Sequence, residues 1–181
     1  VKIAEKHKHE DLAKMYFAYA EYNDALYIAG CEYEMSAEYT EIKTQHENMK
    51  ERLKEAEEAT KKLKSERNKT ARAAQEFKDM RYHVSTLSNR IASHSRQQDD
   101  LALHQSNFLL SALKYYAKGI EHSLADDTRA LVRFISLWFQ NESNPKAQNG
   151  VTSLLPKFPA YKLVSLYHQL VSRLGTGTQA F

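Results

Sequence analysis

A mostly apolar seam repeats every seven residues through the middle of the chain, at Ile42, Met49, Ala56, Leu63, Thr70, Phe77, Val84 and Ile91. A seven-residue period predicts a helix that buries one stripe against another helix. In the first half a second seam position follows four residues later, at His46, Leu53 and Thr60; in the second half it follows three residues later, at Ala73, Met80 and Leu87. The phase therefore switches between Leu63 and Thr70. A chain that reverses over 65–69 folds this seam onto itself as an antiparallel hairpin. The layers would be Ile42 on Ile91, His46 on Leu87, Met49 on Val84, Leu53 on Met80, Ala56 on Phe77, Thr60 on Ala73 and Leu63 on Thr70. Small Ala56 facing large Phe77 is the complementarity such a pair needs. The competing reading is one helix with a three-residue phase insertion, about 90 Å long at about 1.5 Å per residue.

The flanking segments carry other patterns. Leu12, Ala13, Tyr16, Ala20, Tyr22, Ala25 and Ala29 have the spacing of a tetratricopeptide-type helix pair, with a break expected over 20–23. Leu101, Leu103, Phe108, Leu109, Ala112, Leu113, Tyr116, Ala117 and Ile120 form a broad apolar stripe with Gly119 inside it. Ser123-Leu124-Ala125-Asp126 has the form of a capping box, putting Asp126 and Asp127 in the first turn of a helix that carries Leu131, Val132, Phe134, Ile135, Leu137, Trp138 and Phe139. Asn144-Pro145 ends that helix. Residues 146–156 read as a short helix or loop. Pro159 opens the last helix and Gly175 stops it. The fold class is all-α: a TPR-like α-solenoid segment with a long antiparallel coiled-coil hairpin. The divisions are a helix pair over 1–34, the hairpin over 35–97 with its turn near 65–69, further helices over 98–176, and a linker over 177–181.

Composition agrees with long helices, since 181 residues contain only 5 glycines and 3 prolines while 27% are charged. The formal net charge of +3 does not call for direct nucleic-acid binding. Locally, Lys61, Lys62, Lys64, Arg67, Lys69 and Arg72 gather at the hairpin tip around Glu58 and Glu66. They form either a solvated coiled-coil exterior or a docking surface for an acidic partner or nucleic acid. No apolar run approaches the roughly 20 residues of a membrane span. Cys31 has no second cysteine to pair with and reads as a small core residue. Starting at Val1 without Met, the chain reads as a piece of something larger.

The search for chemistry returns nothing. His7 and His9 stand two apart, and His46, His83, His94, His104, His122 and His168 are scattered without a carboxylate or thiol at ligand spacing. Gly175-Thr176-Gly177 lacks the rest of a phosphate loop, and Ser93-His94-Ser95 is no nucleophile elbow. The expectation is no catalytic residue, no cofactor-binding residue and no metal ligand.

Two blocks carry a resemblance. Arg81-Tyr82-His83-Val84, followed by Leu131-Val132-Arg133-Phe134-Ile135-Ser136-Leu137-Trp138-Phe139-Gln140-Asn141-Glu142-Ser143, is similar to segments of the FAT domain of ATM/Tel-type kinases. So is Phe158-Pro159-Ala160-Tyr161-Lys162-Leu163 with its continuation to Thr176. The resemblance covers 81–176 well and the heptad region loosely. It implies a segment of a giant nuclear serine/threonine kinase that signals DNA damage, serves DNA repair and maintains telomeres. Such a segment would be a non-catalytic collar around the kinase domain of the same protein, would contribute to a homodimer, and would leave ATP and magnesium to the parent's kinase domain. The hairpin would then be an excursion reaching towards the second protomer. The alternative is a freestanding coiled-coil adaptor with no enzyme attached.

Overall fold

The computed structural model describes residues 2–67, 69–124, 127–164, 167 and 171, with side chains from His9 onwards except that of Glu66. Every regular element among them is helical: α1 (Lys2–Glu34), α2 (Ala37–Glu66), α3 (Ala71–His122), α4 (Thr128–Gln140), α5 (Pro145–Leu154), a 3-10 turn (Leu155–Lys157) and α6 (Ala160–Leu163). The chain divides into two compact units, one of Val1–Ile28 with Gln105–Phe181 and the other of Ala29–His104.

The helix pair expected over 1–34 is a single helix, α1. No glycine or proline falls in the proposed break. Asn23, only 4% exposed, donates its side-chain amide to the Tyr19 carbonyl at 2.7 Å and so bonds within the helix it was expected to interrupt. Ala13 and Ala20, seven residues apart and both buried, lie on one face. Small residues at that spacing report close approach of another helix, not a reversal.

In the unit of residues 29–104, Ser36 caps α2 by accepting the Tyr39 amide at 3.1 Å. Helix α2 ends at Glu66, and Thr70 accepts the Ala73 amide at 3.1 Å at the start of α3. Along 41–63, residues 42, 46, 49, 53, 56, 60 and 63 are shielded from solvent together with Ala59. Along 70–91 the shielded positions are 73, 77, 80, 84, 86, 87 and 91, whereas Thr70 is exposed. The layers differ from the expected ones. The His46 ring lies 6.1 Å from that of His94, one heptad beyond Leu87, and Leu63 lines a hollow with Met80 and His83 instead of meeting Thr70. Thr70 is used as a helix cap and cannot serve as a packing layer. Sliding the pair by one heptad keeps the seam residues other than Thr70 on the seam. Helix α3 continues past residue 97 without a break, so the boundary expected there does not coincide with a helix end.

In the other unit the core consists of Ala20, Leu109, Ala112, Leu113, Tyr116, Ala117, Ile120, Leu131, Phe134, Ile135, Leu137, Ala147, Val151 and Phe158. Six of these belong to the stripe read on α3, and four to that read on α4. Gly119 has a packing reason: a Cβ there would overlap the Phe17 ring, so α1 lies close against α3 at this level. Residues 146–156 resolve into α5 and the 3-10 turn. Asn144 caps α5 by accepting the Lys146 and Ala147 amides at 3.1 and 3.3 Å, with Pro145 in the first turn. Gly175, His168 and the linker over 177–181 lie outside the described residues.

Candidate functional site

The polar side chains of the two sequence blocks converge on three joints in the unit of residues 1–28 and 105–181. In the first, Arg133 on α4 grips Asp24 on α1 with two parallel bonds, Nε to Oδ2 and Nη2 to Oδ1, each 2.6 Å. The Tyr116 hydroxyl on α3 donates to the same Oδ2 at 3.1 Å. One carboxylate thereby ties three helices. Its burial is nearly complete, at 8% side-chain exposure, against 29% for Arg133. The fork geometry is what a planar guanidinium supplies and a lysine does not. The bond to Asp24 raises the Arg133 pKa above its ordinary value. Burial, then the Asp24 charge and bond, push the Tyr116 phenol well above its usual 10.

The second joint is Lys162 on α6. It is buried, and its ammonium donates to the carbonyls of Ile120 and Ser123 at 2.8 and 2.7 Å and to Asp127 Oδ2 at 2.7 Å. The Ile120 carbonyl is among the last four of α3, which have no partner within the helix, and a cation at a helix C-terminus also complements its dipole. Asp126 of the capping box expected at Ser123 lies outside the described residues. Helix α4 starts at Thr128 after Asp127, which makes no side-chain cap bond because its carboxylate is turned to Lys162.

The third joint builds on Trp138 and Asn141. Trp138 Nε1 donates to Gln148 Oε1 at 2.8 Å, the Tyr27 hydroxyl donates to Asn141 Oδ1 at 3.0 Å, and Asn141 Nδ2 donates to the Leu137 carbonyl at 2.9 Å. Beside the first joint a groove of about 920 Å³ runs along α1 and α4. Phe17, Ala25, Ile28 and Val132 form its apolar lining, with Glu10, Lys14, Glu21 and Arg129 among its charged residues.

Sequence spacing kept the histidines apart, but the fold brings two pairs together. The His9 and His122 rings stack at 5.5 Å, with Tyr16 stacked on His122 at 5.6 Å; in the other unit His46 meets His94. His46 Nδ1 is buried without a hydrogen-bond partner. Among the described residues no three His, Cys, Asp or Glu side chains are grouped to hold a metal ion. No described helix is long and apolar enough to cross a membrane. Cys31 is half-buried. The three joints were missed as assemblies because their members lie up to 114 residues apart. The available signal was Lys162, a lysine inside an otherwise apolar block.

These features define an all-α segment whose interior polar groups hold helix to helix. Comparison with known proteins places it within a family. The chain is 30% identical over 135 residues to the serine/threonine-protein kinase TEL1 of Candida albicans, a match covering 74% of the chain and 5% of that kinase. It is 26% identical over 164 residues to the serine/threonine-protein kinase ATM of Arabidopsis thaliana, covering 91% of the chain and 4% of that kinase. To TEL1 of Saccharomyces cerevisiae it is 24% identical over 106 residues, or 59% of the chain and 4% of the kinase. The chain is a segment of the ATM/Tel-type family, and it spans about one-twentieth of these relatives' length. No family model and no solved structure matches it.

Proposed function

We propose that the chain is a non-catalytic regulatory scaffold, a FAT-domain segment of a DNA-damage-response and telomere-maintenance kinase acting in the nucleus. The observation that carries this reading is the homology to ATM and TEL1 over most of the chain, combined with the use of Arg133, Trp138, Asn141 and Lys162, polar residues of the two sequence blocks, as inter-helix ties. A protein segment whose interior charges are bound to one another is suited to holding a shape. Phosphoryl transfer needs a phosphate cradle, metal-binding carboxylates and a base, and these belong to the parent's kinase domain with its ATP and magnesium. In this reading the helices of residues 98–176 embrace that kinase domain, and the hairpin acts on the second protomer of a homodimer.

The test has two parts. The reading frame beyond Phe181 must encode a catalytic-loop Asp with an Asn a few residues on, then Asp-Phe-Gly; their absence would leave the freestanding adaptor as the better account. The isolated segment, given ATP and magnesium, must transfer no phosphate to a Ser/Thr peptide, while the full kinase does.

A further inference from the structure

We propose that the tip of the α2–α3 hairpin is a docking head for an acidic protein segment that carries an apolar anchor. Lys61, Lys62, Lys64, Arg67, Lys69 and Arg72 fall within twelve residues containing a single carboxylate, Glu66, and all six basic residues are exposed. Arg72 pairs with Glu76 at 2.9 Å, and the five other cations outnumber Glu66 within the stretch. Farther down α2 the charges alternate, as where Lys50 bonds Glu47 at 2.8 Å.

Two arginines flank an apolar ring beside the basic stretch. The guanidinium groups of Arg67 and Arg81 stand 5.7 and 5.9 Å from the centre of the half-buried Phe77 ring. Next to it, Leu63 and Met80 line an open hollow of about 450 Å³ with Glu76, Asp79 and His83. Charge complementarity assigns carboxylates to the exposed cations of residues 61–72, and the Leu63 and Met80 side chains of the hollow offer a seat to an aliphatic or aromatic side chain. A nucleic-acid duplex fits less well. Its charge runs unbroken, whereas the basic stretch of α2 extends only about 10 Å at about 1.5 Å per residue. Glu55, Glu57 and Glu58 bound it on α2 with repulsion. The proposal does not depend on the kinase reading.

The test titrates the full chain with a labelled Asp/Glu peptide bearing a central Phe, the same peptide with Ala in its place, and a duplex DNA. The Phe peptide should bind more tightly than the Ala peptide and the duplex. The variant Lys61→Glu/Lys62→Glu/Lys64→Glu, with helix content checked by circular dichroism, should lose about tenfold in affinity. A control of equal charge change at exposed positions elsewhere, Arg90→Glu/Arg96→Glu/Lys114→Glu, should lose much less. The proposal is overturned if neither peptide binds at low salt, if the control loses as much as the tip variant, or if the duplex binds best.

Discussion

Replacing Arg133 by methionine keeps most of the aliphatic volume and removes the guanidinium that holds both oxygens of Asp24. The carboxylate, 8% exposed, is then left with the Tyr116 hydroxyl at 3.1 Å as its remaining bond from the joint. Breaking a fully buried pair from one side costs about 3–5 kcal/mol. Because 29% of the Arg133 side chain is exposed, water shares the burden, and an expected loss of about 2–3 kcal/mol follows. In a chain of this size that lowers the melting midpoint by about 5–10 °C. Most of this cost belongs to the stranded carboxylate, so Asp24→Leu/Arg133→Met/Tyr116→Phe should recover much of it. Urea unfolding of the four variants Arg133→Met, Asp24→Leu, their double and the triple measures the coupling, expected at about 1.5–3 kcal/mol. A loss below about 0.5 kcal/mol for Arg133→Met, or additive effects, would refute the assignment of this joint as a tie between α1 and α4.

Other perturbations test the remaining contacts. Lys162→Met strands Asp127, 7% exposed, and two carbonyls at the end of α3; an unfolding loss of about 3 kcal/mol is expected, reduced when Asp127→Leu is added. Gly119→Ala gains about 1 kcal/mol in helix propensity but drives a methyl into Phe17, so calorimetry should find it net destabilising, with Phe17→Leu restoring stability. Tyr116 titrates above its ordinary value when folded, so its contribution is fully present below pH 10 and is lost as pH rises above it; Tyr116→Phe should flatten that alkaline decline in unfolding free energy.

The seam from Ile42 to Ile91 was legible because a heptad period is a property of the sequence. Its register was not legible, since a slide of one heptad leaves the same residues shielded apart from Thr70; the loop and the use of Thr70 as a cap decide it. Ala13 and Ala20 correctly signalled a close helix neighbour, but spacing alone could not say that α1 runs unbroken. Most of the stripes on α3 and α4 could be read because apolar periodicity reports burial, although Leu103 and Val132 within them are exposed. The joints of Asp24 with Arg133 and of Lys162 with Asp127 could not. Asp24, Arg133 and Asp127 each look like a surface charge when taken alone, Lys162 alone stands out in its apolar block, and only tertiary proximity supplies the partners.

The hairpin's regulatory role is the central claim, and its removal is the most direct measurement. In the full-length parent, residues 52–88 would be replaced by a short Gly/Ser linker, a cut that ends at one level in the register set by the His46–His94 contact. Solution mass and basal kinase activity would be compared with the intact protein. The account predicts a weakened dimer, a changed basal activity, or both. An unchanged dimer together with unchanged basal activity would contradict it.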